Sequence, residues 1–145
     1  MISDVHPYTN ELTLPFPTID TRANKNVKRR FVCTHVFPEL TAVCPVTRLP
    51  DFYVVRIVYE PERKLVELKS FKLYLNAYRD VEILHEEVTN KILDDFIAAV
   101  QPRWAYIEVK VNVRGGMSTT ISRHWRKRGG DKIPPVDPKP EEAFA

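Results

Sequence analysis

Alternating hydrophobic and polar positions predict the strands of this chain. The clearest alternation covers residues 52–60, with the period of a β-strand that buries one side. Residues 104–113 repeat it, with one set of alternate positions predicted to face inward (Ala105, Ile107, Val109, Val111 and Val113) and the other outward (Tyr106, Glu108, Lys110 and Asn112). Residues 28–39 alternate up to Pro38, which is expected to end or bend the strand. Residues 117–125 are predicted to return antiparallel to the preceding strand.

Two other segments carry apolar residues at helical spacing. The first helix is predicted to begin near Ser70, and the second begins near His85 and ends before Pro102. Their apolar stripes are Phe71, Tyr74, Leu75 and Tyr78 in the first, and Val88, Ile92, Leu93, Phe96, Ile97 and Val100 in the second. Short connections in the order strand, strand, helix, helix, strand, strand predict an α+β fold. Its antiparallel four-stranded sheet carries both helices on one face.

Length and composition indicate one compact domain. The chain has 145 residues, 43% of them hydrophobic, and we divide it into an arm at 1–27, a domain at 28–125 and a flexible tail at 126–145. The arm is expected to be partly ordered against a neighbour. A single unit leaves sheet edges and an apolar face uncovered, so a homo-oligomer is predicted.

Charge and cysteine content say less about the class of protein than the strand and helix patterns do. The net charge of +3 fits a phosphate-bearing ligand as well as weak nucleic-acid contact, and it decides neither. Two cysteines are too few for a disulfide framework, and no leader or membrane-length apolar run is apparent. We therefore expect a cytoplasmic protein with no membrane partner.

Cys44 and Asp51 are the first candidates for chemistry. The prolines at 45 and 50 stiffen the loop between them, and a nucleophilic thiol needs a lowered pKa and a nearby acid. The alternative is that Cys44 is a small buried apolar residue. His85 and Glu86 have two interpretations as well: they complement a helix dipole, or the carboxylate accepts paired N–H donors from a guanine-like ring.

The segment 67–74 combines two cations, a hydroxyl and aromatic rings at the opening of a helix, where anions are readily held. The alternative is a capped amphipathic helix with solvated lysines. The turn at 114–116 is typical of a hairpin, although glycines beside an arginine also allow close approach to a phosphate. No CxxC or HxxxH spacing is present, so no metal ligands are predicted.

The motif at 67–74, Glu-Leu-Lys-Ser-Phe-Lys-Leu-Tyr, satisfies every position of the signature of a known family. Further matches in the same order are found at 39–45, 50–52, 85–86 and 114–116. The chain thus resembles, from about Val32 to Ser118, the nitrile reductases that act on 7-cyano-7-deazaguanine in queuosine biosynthesis, in their short single-module form.

The resemblance implies the tunnelling fold, which is shared with GTP cyclohydrolase I. In that fold, subunit sheets join into barrels, commonly as a decamer of two stacked pentamers. Sites in the family lie between subunits, so Glu86 and Cys44 of one site can come from different chains.

The resemblance also implies roles for individual residues. Cys44 would add to the nitrile carbon as a thioimide, Asp51 would act as general acid, and NADPH would deliver hydride twice. Glu86 and His85 would hold the guanine-like edge of the substrate. Further substrate-binding positions are Glu67, Leu68 and Ser70, and the cofactor-binding positions are Lys69, Lys72, Arg114 and Gly115. Leu68 stands where many members have serine, and no dinucleotide-binding glycine motif supports the cofactor independently.

Two alternatives compete with the reductase. An amidinotransferase of the same fold acts on the same cyano base within transfer RNA, with a similar cysteine and aspartate and no NADPH; the intact lysine-bearing motif favours the reductase. A non-catalytic RNA-binding module would use the cations of residues 28–30 and 123–132. We predict the small-molecule substrate as partner and no stable nucleic-acid partner.

Overall fold

The computed structural model describes residues 16–130. Along the chain lie β1 (Thr21–Ala23), β2 (Cys33–Val43), β3 (Pro50–Glu60), β4 (Lys64–Val66), α1 (Leu68–Asn76), a 3-10 turn (Ala77–Asp80), α2 (His85–Val100), β5 (Trp104–Arg114) and β6 (Met117–Arg126). β2, β3, β5 and β6 form an antiparallel sheet in that order, and β1 pairs with β4 in a separate two-stranded sheet. The predicted α+β architecture with a four-stranded antiparallel sheet is therefore confirmed.

The helices cover one face of the sheet and form the core with it. α1 begins at Leu68, two residues before the predicted start, and α2 begins at His85 as predicted. α2 ends where Gln101 adopts a left-handed backbone with φ 51°, just before Pro102. Both predicted apolar stripes are buried except for Ile97, which is half-buried. Within residues 16–130, no helix is long and apolar enough to cross a membrane.

β5 departs from the predicted alternation at both ends. Val113 was predicted to face inward, yet it is 65% exposed, because β5 and β6 there run into an exposed hairpin. Tyr106 and Glu108 were predicted to face outward and are buried. On that face the Tyr106 ring packs on His124, with a centroid separation of 4.4 Å, and its hydroxyl donates to Glu108 at 3.1 Å. These contacts bury polar side chains on the face without helices.

The described part of the N-terminal arm, residues 16–27, packs on its own chain. β1 pairs with β4, and Ile19 is buried. The Phe16 ring lies 4.7 Å from the Tyr78 ring and 5.6 Å from the Tyr74 ring. At the other end, Lys127 is still bonded to the domain by a backbone hydrogen bond to Arg103 and by an ion pair with Glu62. Most of the predicted tail, residues 131–145, lies outside the described residues.

β2 contains an irregularity that sets the register of the site. Phe37 pairs with Val55 but Leu40 pairs with Tyr53, so β2 carries one extra residue at this point. Pro38 bends the strand here, and pairing resumes through Val43. The register beyond the irregularity places Ala42 opposite Asp51.

Candidate active site

A tight loop between β2 and β3 presents Cys44. The Cys44 amide donates to the Leu49 carbonyl at 2.9 Å, and the Arg48 amide donates to the Cys44 carbonyl at 2.8 Å. Arg48 has a left-handed backbone with φ 62°, and its guanidinium pairs with Glu82. This side-chain anchor and the two backbone bonds hold the loop in one shape, as the prolines predicted.

The Cys44 thiol is half-buried and is activated by its own loop. The Thr47 backbone amide lies 3.5 Å from Sγ. Hydrogen bonds from Thr47, first from its side chain and then from its amide, hold the pKa of Cys44 below its ordinary value, against the opposing effects of partial burial and of the Asp51 charge. A thiolate is the nucleophilic form of cysteine, so this loop favours the reactive species.

Asp51, the second residue of β3, is a buried carboxylate whose two oxygens have different surroundings. The residue is 1% exposed. Oδ1 accepts a hydrogen bond within an ion pair from Arg114 at the end of β5. Oδ2 is buried and has no hydrogen-bond partner within residues 16–130. An unsatisfied buried oxygen beside an activated thiol is suited to exchanging a proton with a bound molecule.

His85 approaches Asp51 from the first turn of α2. Its Nδ1 lies 4.0 Å from Asp51 Oδ2, too far for a hydrogen bond, and 2.9 Å from the hydroxyl of Tyr53. Glu86, the next residue, is exposed. Burial, together with the charges of Asp51 and Cys44, raises the pKa of Tyr53, and Glu86 contributes in the same direction. One chain therefore brings Cys44, Asp51 and His85 into the same electrostatic environment.

Tyr53 belongs to this site and was missed by the sequence analysis. The alternation of β3 places it at an inward apolar position, which is the role its ring plays. Its hydroxyl group was the available signal, because a buried tyrosine needs a hydrogen-bond partner. The partner lies 32 residues away, so periodicity alone could not identify it.

The opening of α1 is capped by its own side chains. The Glu67 carboxylate accepts hydrogen bonds from the backbone amides of Lys69 at 3.0 Å and of Ser70 at 2.7 Å. The Ser70 hydroxyl donates to the Glu67 carbonyl and accepts from the Asp20 amide, both at 2.8 Å. These two amides are thus occupied, which corrects the expectation that the helix opening itself holds an anion. Leu68 is 44% exposed.

Lys69 and Lys72 remain suited to a phosphate-bearing cofactor. Both side chains are exposed, and neither forms an ion pair with another described residue. Lys72 also borders a cleft of about 240 Å³ between β2 and α1, which His35 lines together with apolar residues. The Lys72 ammonium group at this cleft, with exposed Lys69 in the same helix, is suited to the phosphates of a nicotinamide cofactor whose planar ring enters the cleft.

Arg114 and Gly115 occupy the hairpin between β5 and β6. Gly115 and Gly116 both have positive φ, at 57° and 79°, as a two-residue turn of this kind requires. Arg114 contacts Asp51, so its guanidinium lies at the carboxylate rather than at the lysines of α1. No hydrogen bond or ion pair within residues 16–130 joins the opening of α1 to Cys44 or Asp51. The predicted site residues thus form two groups in one chain.

Residues 50–130 match the model of a family described as QueF-like protein. The chain is 47% identical to the NADPH-dependent 7-cyano-7-deazaguanine reductase of Halorhodospira halophila, over 75% of this chain and 92% of that protein. It is 40% identical to the protein of the same name from Alkalilimnicola ehrlichii, over 86% and 97%. The corresponding protein of Prochlorococcus marinus is 46% identical over 68% and 70%.

A solved structure is also similar. The apo form of the archaeosine synthase QueF-Like superposes with a TM-score of 0.61 at 27% identity, covering 64% of this chain and 91% of that one. The similarity therefore extends over most of the described domain.

Proposed function

Because this chain belongs to the QueF-like family, among relatives named as NADPH-dependent 7-cyano-7-deazaguanine reductases, we propose that it reduces 7-cyano-7-deazaguanine to 7-aminomethyl-7-deazaguanine. Two NADPH are consumed for each nitrile, within queuosine biosynthesis for transfer RNA. The observation that carries the proposal is the pairing of an activated Cys44 thiol with the buried carboxylate of Asp51, whose Oδ2 has no hydrogen-bond partner within residues 16–130.

Cys44 performs the first chemical step. Its Sγ adds to the nitrile carbon, a C–S bond forms, and one π bond of the nitrile becomes a lone pair on nitrogen, which takes a proton to give the thioimide. Oδ1 of Asp51 is ion-paired with Arg114, which leaves Oδ2 available to a bound molecule. Asp51 therefore takes the thiol proton at Oδ2 and passes it to the nitrile nitrogen as general acid.

The reduction needs four electrons, and NADPH when bound supplies them as two hydrides. Lys69 and Lys72 hold its phosphates through their ammonium groups, with Arg114 and Gly115 at the β5–β6 hairpin as further cofactor contacts. Asp51 delivers a proton to nitrogen at each reduction step, and between the two steps the C–S bond breaks as the nitrogen lone pair forms the imine and Sγ leaves as the thiolate. Glu86 accepts the N–H donors of the guanine-like edge, and His85 binds beside it. Glu67, Leu68 and Ser70 border the substrate from the start of α1.

A homo-oligomer completes this arrangement. We take it to be two stacked pentamers whose sheets join into barrels, working in the cytoplasm. Two observations support a neighbouring copy: β2 and β6 are sheet edges, and several large apolar residues are exposed near the site (Val46, Leu49, Phe52, Leu68, Leu73, Val113 and Met117). The separation of the α1 residues from Cys44 in one chain also favours a site shared between chains.

The test measures NADPH absorbance after 7-cyano-7-deazaguanine is added to the purified protein. We expect two NADPH oxidised per nitrile, and none with Cys44→Ala. Cys33→Ser is the matched control and is expected to keep activity, because burial raises the pKa of Cys33. A stoichiometry other than two, or turnover by Cys44→Ala, would contradict the proposal.

The amidinotransferase is the second candidate, and it is favoured by the similarity to an archaeosine synthase. It predicts a covalent adduct on Cys44, seen by mass spectrometry, without any NADPH oxidation. The reductase instead predicts that the adduct disappears when NADPH is added.

A further inference from the structure

The hydrogen bond between Tyr53 and His85 has one favoured direction. The Tyr53 hydroxyl lies 2.9 Å from His85 Nδ1 and has no other hydrogen-bond partner within the described residues. If Nδ1 carried the proton and donated it, the buried hydroxyl hydrogen of Tyr53 would have no acceptor. If the hydroxyl donates instead, the phenol hydrogen and the Nδ1 lone pair are both satisfied.

The surroundings keep Tyr53 in its donor form. The residue is 1% exposed, and burial followed by the Asp51 and Cys44 charges raises its pKa, so the phenol keeps its proton at working pH. The charged groups facing this pair are Asp51 and Arg114 from the strand ends, Cys44 from its loop and Glu86 from α2. Asp51 Oδ2 stands 4.0 Å from Nδ1 and does not compete for a hydrogen bond.

A neutral histidine that accepts at Nδ1 carries its proton on Nε2. The His85 side chain is 31% exposed, and Nε2 bonds to no other residue in 16–130. His85 therefore offers a molecule in the site an N–H donor, which suits a carbonyl oxygen and does not suit an amino group.

We infer that Tyr53 is a positioning residue for specificity: it fixes His85 as a donor through Nε2 and so selects a ring that presents a carbonyl over one that presents an amino group. The inference rests on the proposed function, because it assigns His85 to the substrate ring. Neither the sequence pattern nor the proposed chemistry gives Tyr53 this role.

Binding of two rings without a nitrile separates this inference from catalysis. Dissociation constants are measured by calorimetry for 7-deazaguanine, which presents a carbonyl, and 7-deazaadenine, which presents an amino group. Wild type is expected to prefer 7-deazaguanine. Tyr53→Phe frees Nδ1 to carry the proton and is expected to reduce the preference about tenfold, mainly by weakening 7-deazaguanine binding. Tyr106→Phe removes a buried hydroxyl on the other sheet face and is expected to leave the preference unchanged.

Nitrogen NMR of the wild-type protein gives a reading that needs no variant. The His85 imidazole is expected to show a protonated Nε2 and an unprotonated Nδ1, and Tyr53→Phe is expected to change this pattern. A wild-type His85 protonated at Nδ1, or a folded Tyr53→Phe protein with an unchanged preference for 7-deazaguanine, would overturn this inference and leave the proposed function standing. Failure of the wild type to bind 7-deazaguanine would instead overturn the proposed function on which it rests.

Discussion

The Arg114 guanidinium forms an ion pair with the buried carboxylate of Asp51, joining the end of β5 to the start of β3. A residue expected to hold a cofactor phosphate thus contacts the residue expected to move protons. Since one cation serves both anions in this proposal, its removal should affect two measurable steps.

Arg114→Gln is expected to slow adduct formation, measured by mass spectrometry without NADPH. The buried carboxylate of Asp51 loses the ion-pair partner that holds Oδ1 in place. The variant should also raise KM for NADPH. Lys72→Gln is the matched control: it removes a cation that does not touch Asp51, so KM for NADPH should rise while the rate of adduct formation stays unchanged. Equal rates of adduct formation for Arg114→Gln and wild type would contradict this prediction.

Thr47→Val should make Cys44 less reactive near neutral pH. The Thr47 side chain is the largest contributor to the lowered pKa of the thiol, so its loss raises that pKa and shifts the thiolate to higher pH. The measurement is the rate of alkylation by iodoacetamide against pH, followed at Cys44 by mass spectrometry. Cys33 provides an internal reference, because its rate should not change. A profile for Cys44 that stays in place, or moves to lower pH, would rule out this role of the side chain.

Asp51→Asn should bind 7-cyano-7-deazaguanine and slow adduct formation on the order of 10²–10⁴-fold. The amide keeps the shape of the side chain and cannot exchange the proton. Stopped-flow absorbance would give the rate, and calorimetry with 7-deazaguanine would give binding. Asp80→Asn, an exposed change outside the site, should alter neither. Loss of binding without slower chemistry would show that Asp51 is not the proton-transfer residue.

Ser70→Ala should destabilise the fold by about 1–3 kcal/mol. The substitution removes the acceptor of the Asp20 amide and the donor to the Glu67 carbonyl, in a residue that is 7% exposed. Urea unfolding followed by circular dichroism would measure the change. Ser118→Ala, on the exposed part of β6, should fall within about 0.5 kcal/mol of wild type. Equal stabilities for the Ser70→Ala and Ser118→Ala proteins would show that the hydrogen bond between the arm and α1 does not stabilise the fold.

The periodicity of apolar residues was sufficient to predict the helices and strands that bury one regular face. The inward positions of β3 and the start of α2 at His85 follow directly from spacing, because burial on one side leaves a repeating pattern. β1 has only three residues, too few for any period to appear, so its pairing with β4 was not predicted. The burial of Tyr106 and Glu108 could not be predicted from spacing either, because it depends on neighbours across the sheet.

The residues of the candidate site also divide into those that local sequence patterns predicted and those that they could not predict. Cys44 and Asp51 were predicted because a proline-bounded loop is a local feature, and the structure brings them close enough for the Asp51 charge to raise the pKa of Cys44. The ion pair of Arg114 with Asp51 spans 63 residues, and only the folded sheet brings its partners together. The Glu67 cap is local and was within reach of the sequence, because an acceptor before a helix is a capping signal.

The extra residue in β2 makes the length of this strand as important as its composition. Cys33 and Phe37, before it, and Leu40 and Ala42, after it, all pack towards the core, so the inward set changes from odd to even numbers. Deleting Glu39 would remove the extra residue, and regular pairing continued from Phe37 and Val55 would still place Leu40 opposite Tyr53 and Ala42 opposite Asp51. The number of residues should therefore be restrained between Leu40 and Cys44, where a gained or lost residue would shift the loop of Cys44 by one position against Asp51.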